Sequence, residues 1–170
     1  MKRLSILVLA LVFAAGCGSD TPTSASNPNV IKFTAALLPG NEVPAVTNAD
    51  AGARGTLTLT LNLTKDAAGA ITAATGDFTF DLTGFPAGTT LTGAHIHNGA
   101  AGVNAGVIIS TGLGTGEIVL VNGAQVVTKN SINVTAAVAQ DMINNPSGYY
   151  FNVHTQLNTG GAIRAQIVKS

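Results

Sequence analysis

The sequence predicts an all-β protein, an antiparallel, Greek-key-like β-sandwich with one short helix near residues 135–145. Apolar and polar residues alternate along several segments, most regularly at 56–63, where every second position is Leu. Such alternation is typical of antiparallel strands with one buried and one solvated face. Turn-forming residues separate these segments. The single cysteine, Cys17, excludes a disulfide framework, so an ordinary core and a β-ladder must hold the fold.

The predicted strands follow one another at short intervals along the chain. Their ranges are 30–37, 56–63, 77–82, 91–97, 107–110, 116–121, 148–155 and 162–168. One segment departs from the alternation, because Val138 and Met142 lie four residues apart. Thr135 is a suitable N-cap and Pro146 a suitable stop, so a short helix is predicted between them.

The N-terminal residues have the features of an export signal. Residues 1–16 contain a basic start, an apolar run and a small-residue cleavage site, which together predict a signal peptide. Small residues directly before Cys17 resemble a bacterial lipobox and predict lipid attachment at that residue. Ordinary cleavage with an incidental Cys17 is the alternative. An exported protein of the cell envelope is expected, at the outer membrane or on a periplasmic or extracellular face.

The next segment, residues 17–29, is polar and contains too few apolar residues to offset the entropy of ordering, so a flexible tether is predicted. The folded domain is expected over residues 30–170. No second apolar segment reaches membrane-spanning length, so the predicted contact with the membrane is the lipid at Cys17.

The charge balance argues against a nucleic-acid partner. Removal of the signal peptide takes away two of the eight basic residues and leaves six against eight acidic ones. No basic patch is visible. The remaining partner expectation is an unidentified protein or small-molecule ligand.

The three histidines lie in two short segments, 92–97 and 149–155. Strand parity places His95 and His97 on the face opposite Ala94 and Ile96, and it turns His154 away from the core in the same way. A His-x-His pair with a third histidine from another strand can form a three-histidine site for copper or zinc. The alternative is a hydrogen-bonded polar seam without a metal. Parity alone does not place the two segments side by side.

Other polar residues give weaker signals. Arg164 falls on the same side as His154 when the apolar faces of their strands are kept together. A cation near a metal would attract small anions. Glu42, Asp77 and Asp81 occupy turn or outward strand positions and are expected to be solvated charges. No nucleophile motif or phosphate loop is visible, so the sequence leans against an enzyme.

Four segments in order resemble the CHRD domain, a family named for its occurrence in chordin and common in bacterial exported proteins. These segments are 33–44, 93–99, 149–155 and 161–167. The resemblance implies a β-sandwich over about residues 30–169, and in the animal protein the domain accompanies binding of growth-factor ligands. The family often has Gly-Glu-Ile-Arg-Gly near its end, where this chain has Ala162 in place of the acid.

The chain also resembles copper/zinc superoxide dismutase in having His-x-His on a strand, a later lone histidine and a terminal strand with arginine. This resemblance implies that His95, His97 and His154 are copper ligands and that Arg164 steers anions. The chain departs from that family in having no further histidine for a bridging or zinc position, and no disulfide.

Two hypotheses follow from the sequence. The first is a non-enzymatic binding or structural module of the cell envelope. The second is a mononuclear copper or zinc protein with a three-histidine site, redox-active in the manner of superoxide dismutase if it also turns over substrate.

Overall fold

The computed structural model describes residues 27–170 and has the predicted β-sandwich architecture, with two antiparallel sheets and one short α-helix in that part of the chain. The predicted signal peptide, the predicted lipid site at Cys17 and most of the predicted tether lie outside the described residues. Within them, no helix combines the length and hydropathy needed to cross a bilayer.

Neighbouring strands in each sheet are often distant in sequence, as expected of a Greek-key-like sandwich. One sheet has the order β10-β1-β2-β3-β7, and the other has β5-β4-β8-β9 with β6 paired to β4. The elements are β1 (Val30–Leu37), β2 (Arg54–Lys65), β3 (Ile71–Thr83), β4 (Thr89–Asn98), β5 (Val107–Ser110), β6 (Val119–Leu120), β7 (Gln125–Val134), α1 (Ala136–Asn144), β8 (Tyr149–Thr155), β9 (Ile163–Gln166) and β10 (Val168–Lys169).

The core lies between the two sheets and contains the side chains that the alternation predicts. The leucines of β2 are buried, while the threonines between them face outward. Phe151 on β8 crosses the interface and packs against Phe78 and Phe80 of β3, with ring centroids 6.1 and 5.3 Å away. Aromatic contacts of this kind stabilise the fold beyond the contribution of the apolar area that they bury.

The predicted helix is confirmed. The Thr135 side chain accepts a hydrogen bond from the backbone N–H of Val138, which satisfies one of the free donors of the first turn. Met142 is fully buried and fixes α1 against the sandwich. The helix ends at Asn144, two residues before Pro146.

Two strand predictions were wrong. β7 was not predicted, because its outward and inward positions do not alternate cleanly. The pairing of β3 with β7 shifts register between Gly76 and Phe78, and Ser131 opposite this shift has a positive φ of 57°. A bulge of this kind breaks a period of two. The strand predicted over 116–121 is only the two residues of β6, since turns occupy the rest.

The sheet containing β4, β8 and β9 brings the histidine segments together. β4 and β8 pair antiparallel, with His95 opposite Asn152 and His97 opposite Tyr150. β8 pairs with β9, so that Asn152 lies opposite Arg164. Because directly opposed residues share a face, these side chains all lie on the side of the sheet away from the core.

Candidate metal centre

The three histidines converge on the outer face of β4 and β8. One ring nitrogen from each of His95, His97 and His154 lies within 4.8 Å of the others. The ring centroids of His95 and His154 are 4.9 Å apart, and those of His97 and His154 are 6.2 Å apart. The parity prediction that these side chains share a face is therefore correct.

The face that carries the histidines is covered by loops. His97 is 6 % exposed and His154 is 9 % exposed, while His95 is partly exposed. Residues 99–106, between β4 and β5, lie over His97, and residues 156–162, between β8 and β9, lie over His154. The alternation of apolar and polar residues in the strands does not predict that these loops bury the histidines.

His154 is held by a backbone carbonyl. Its Nδ1–H donates to the carbonyl oxygen of Thr159 at 2.8 Å, which leaves the lone pair on Nε2. That Nε2 atom lies 3.1 Å from Nδ1 of His95. A ligating histidine commonly donates its other ring N–H in this way, which fixes the tautomer and the direction of the ligand nitrogen.

His97 is held in a similar manner on the other side of the cluster. Its Nδ1–H donates to the carbonyl oxygen of Ala105 at 2.8 Å. Its Nε2 lies 3.0 Å from Oδ1 of Asn152, and in this tautomer the amide must turn its NH2 group toward the Nε2 lone pair. The Tyr150 ring is stacked on the imidazole at 4.7 Å with an interplanar angle of 4°. The ring of His97 is therefore fixed on both edges and on one face.

The donor set fits a mononuclear copper or zinc ion. Two ligands of a tetrahedral metal at about 2.0–2.1 Å lie about 3.3 Å apart, close to the His95–His154 separation. The three nitrogens lie within 4.8 Å of one another, so the widest pair would have to close by up to about 1.5 Å. To bind the ion as a neutral ligand through Nδ1, His95 would carry its proton on Nε2 instead of donating it from Nδ1 to His154.

Two of the three histidines, His95 and His154, favour the neutral form. Burial, followed by the nearby His154 and His97, lowers the pKa of His95 to about 4. Burial also lowers the pKa of His154, against the opposing effect of its bond to the Thr159 carbonyl. Neutral rings are the form that binds metal, because protons and metal ions compete for the same nitrogen lone pairs.

The lowered pKa of His95 predicts how stability depends on pH in the metal-free protein. Between about pH 4 and the ordinary value of 6.5, the unfolded chain binds a proton at His95 that the folded chain excludes. The free energy of unfolding should therefore fall as pH falls through this window. Urea denaturation of the wild type and His95→Gln across pH 4–7 measures it, with the wild type losing more stability than the variant. Parallel pH profiles for the two proteins would contradict the prediction.

Arg164 is placed differently from the expectation for an anion-steering residue. It is 3 % exposed, and its Nε–H donates to the carbonyl oxygen of Asn41 at 2.6 Å. Its guanidinium lies over the Tyr150 ring, with Cζ 4.6 Å from the ring centroid. The Tyr150 ring therefore packs against both Arg164 and His97, an arrangement that does not suit attraction of anions from solvent.

The expectation that Glu42 is a solvated charge was wrong. It is 6 % exposed, because residues around Gly161 and Arg164 pack directly against its carboxyl group. Burial raises its pKa to about 7, although the charge of Arg164, 3.7 Å away, acts in the opposite direction. Asp77 and Asp81 do occupy outward strand positions. Asp77 accepts hydrogen bonds from Asn62 and from the Ser131 backbone, which is a structural role.

Several residues of the site carried only weak sequence signals. A glycine inside a strand often marks close approach of another group. Gly93 is such a case, because a Cβ there would lie 2.8 Å from Cε1 of His95. Tyr150 and Asn152 share the parity of His154 and were detectable on that basis. Ala105 and Thr159 act through their carbonyl groups, which no side-chain pattern reveals.

The fold and the cluster define an antiparallel β-sandwich with three convergent histidines on the outer face of one sheet. Comparison with family models matches residues 33–167 to the CHRD domain. The chain therefore belongs to the CHRD domain family, as the four sequence segments predicted. Comparisons with curated proteins and with solved structures gave no match.

Proposed function

We propose that this protein is an exported, lipid-anchored CHRD domain of the cell envelope that binds one copper or zinc ion through His95, His97 and His154. The role is binding rather than turnover. The observation that carries the proposal is the arrangement of His97 and His154. Each donates Nδ1–H to a backbone carbonyl and directs Nε2 into the cluster, where Nε2 of His97 also contacts the side-chain amide of Asn152. A hydrogen-bonded polar seam does not require three imidazoles at one point.

The three ligands are neutral, so a bound divalent ion would keep its full charge. Such an ion supplies an electrophilic centre that takes water or a small anion in its open position. His97 and His154 fix the ligand geometry, and the partly exposed His95 lies on the side open to solvent. Imidazole nitrogen suits both copper and zinc.

Elemental analysis tests the metal proposal. The full chain, purified in detergent and stripped with chelator, is loaded separately with copper and zinc salts and then dialysed. The expected result is one equivalent of one of these metals per chain. Retention of less than about one tenth of an equivalent of each, under conditions where the protein is folded by circular dichroism, would refute the proposal.

Metabolic labelling tests the anchoring proposal. The support for it is the apolar run and small-residue site before Cys17. Bacteria expressing the full chain are grown with a radioactive fatty acid, and the purified protein is examined for label. We expect label in the wild type and none in Cys17→Ser. Equal labelling of both, or of neither with cleavage elsewhere, would contradict it.

A further inference from the structure

We propose that Arg164 is a buried positioning residue for the metal ligand His97, acting through the Tyr150 ring and through residues 103–105. The metal-related part of this inference rests on the proposed function. The orientation of His97 can be tested without any metal.

The first connection is a stack of three side chains from adjacent strands. The Arg164 guanidinium from β9 lies over the Tyr150 ring from β8, with Cζ 4.6 Å from the centroid. The same ring is stacked on the His97 imidazole from β4, at 4.7 Å and nearly parallel. Because β4 and β9 flank β8 on opposite sides, we place the two groups on opposite faces of the ring. Cation–π attraction holds the guanidinium on the tyrosine. The His97 ring cannot rotate without displacing Tyr150, which is itself buried.

The second connection runs through the loop between β4 and β5. Arg164 donates from Nη1 to Oδ1 of Asn104 at 2.8 Å. The next residue, Ala105, uses both of its backbone groups. Its N–H donates to the Tyr150 hydroxyl at 3.2 Å, and its carbonyl accepts Nδ1–H of His97 at 2.8 Å. Arg164 thus anchors the segment that selects the His97 tautomer.

This arrangement requires the planar guanidinium group of arginine. Nε and Nη1 of Arg164 reach two different segments, at Asn41 and Asn104, while the flat guanidinium remains stacked on Tyr150. Lysine has a single ammonium on a flexible stem and cannot make the same contacts. The Nη2 atom of Arg164 and Oε1 of Glu42 are both buried without a hydrogen-bond partner. Such an incompletely satisfied pair adds little to stability, which favours a role in orientation.

The test compares Arg164→Lys with Arg54→Lys as a matched control. Arg54 also donates to backbone carbonyls, those of Ala51 and Ala53, but it is exposed and far along the chain from the cluster. Nitrogen-15 NMR of the imidazoles in the metal-free protein reports the tautomer of each histidine. We expect a single Nδ1–H tautomer for His97 in the wild type and in Arg54→Lys, and a mixture of tautomers in Arg164→Lys.

Metal affinity, measured by competition with a chelator, is the second readout. Loss of a residue that orients a ligand typically weakens binding by about 10- to 100-fold. Arg164→Lys should weaken binding by this factor and still reach the wild-type stoichiometry at saturation. A folded Arg164→Lys protein with the wild-type His97 tautomer and unchanged affinity overturns the inference.

A second variant decides the case if Arg164→Lys does not fold. Tyr150→Phe keeps the stacked ring and removes the hydroxyl that accepts from Ala105. Tyr150→Phe should shift the His97 tautomer balance. It should weaken metal binding by a smaller factor than Arg164→Lys does. If Tyr150→Phe leaves both readouts unchanged, the inference is overturned. If the wild type binds no metal, the proposed function fails, and the NMR comparison still decides the orientation of His97.

Discussion

His154→Ala is expected to weaken copper or zinc binding by more than about 100-fold, beyond the range typical of changes to residues that only orient a ligand. His154 supplies the nitrogen closest to another ligand, at 3.1 Å from His95, and no further histidine exists to replace it. The two remaining rings both come from β4 and leave the β8 side of the site open. Isothermal titration of the chelator-stripped protein with each metal measures the change.

Gln156→Ala is the matched control for this variant, because Gln156 is exposed and lies two residues after His154, just beyond the end of β8. It should bind metal like the wild type. His154→Ala leaves the Thr159 carbonyl without its donor, so a stability loss of about 1–3 kcal/mol is expected and must be measured by denaturation. Wild-type affinity in a folded His154→Ala protein would show that the metal, if bound, lies elsewhere.

Gly93→Ala is expected to weaken metal binding by at least about 10-fold while the sandwich stays folded. A Cβ at this position would lie 2.8 Å from Cε1 and 3.2 Å from Nε2 of His95, so the imidazole must swing away from the cluster. The His95 ring is partly exposed and has space to move. The added methyl group should therefore change the site more than the fold. Chelator competition and thermal unfolding measure the two effects.

Gly114→Ala is the control for this change, since Gly114 is exposed and a Cβ there would make only an ordinary contact, at 3.8 Å from Oε2 of Glu117. It should alter neither metal affinity nor the cluster. If Gly93→Ala and Gly114→Ala bind metal equally well, the close packing of His95 on Gly93 does not position the ligand.

The period of two was sufficient to predict the fold class and the face on which the histidines lie. The leucines of β2 and the Phe151–Val153 pattern of β8 are buried as expected, because burial of one sheet face sets strand parity directly. β7 was not predicted, because its register shift breaks the alternation of apolar and polar residues that identifies a strand. The pairing of β4 with β8 joins segments that are distant in sequence, so it could not be predicted from the residue pattern of either segment.

The burial of the site could not be predicted from strand patterns. Parity says that Arg164 points away from the core, and it does lie on that side, while Glu42 was expected to be solvated because it lies in a turn. The loops at 99–106 and 156–162 then cover this face, so a residue turned away from the core is still buried. Loop cover depends on contacts such as Asn104 with Arg164 and Thr159 with His154, which join residues through turns of irregular geometry.

X-ray absorption spectroscopy of the metal-loaded protein tests the central claim most directly. The extended fine structure should show three imidazole nitrogens at about 2.0–2.1 Å, with outer-shell scattering from three histidine rings. One further small ligand, such as water, can complete the first shell. The predicted set is His95, His97 and His154, so His154→Ala should reduce the imidazole number to two at high metal concentration. A first shell of oxygen alone, or fewer than three imidazoles in the wild type, would contradict the account.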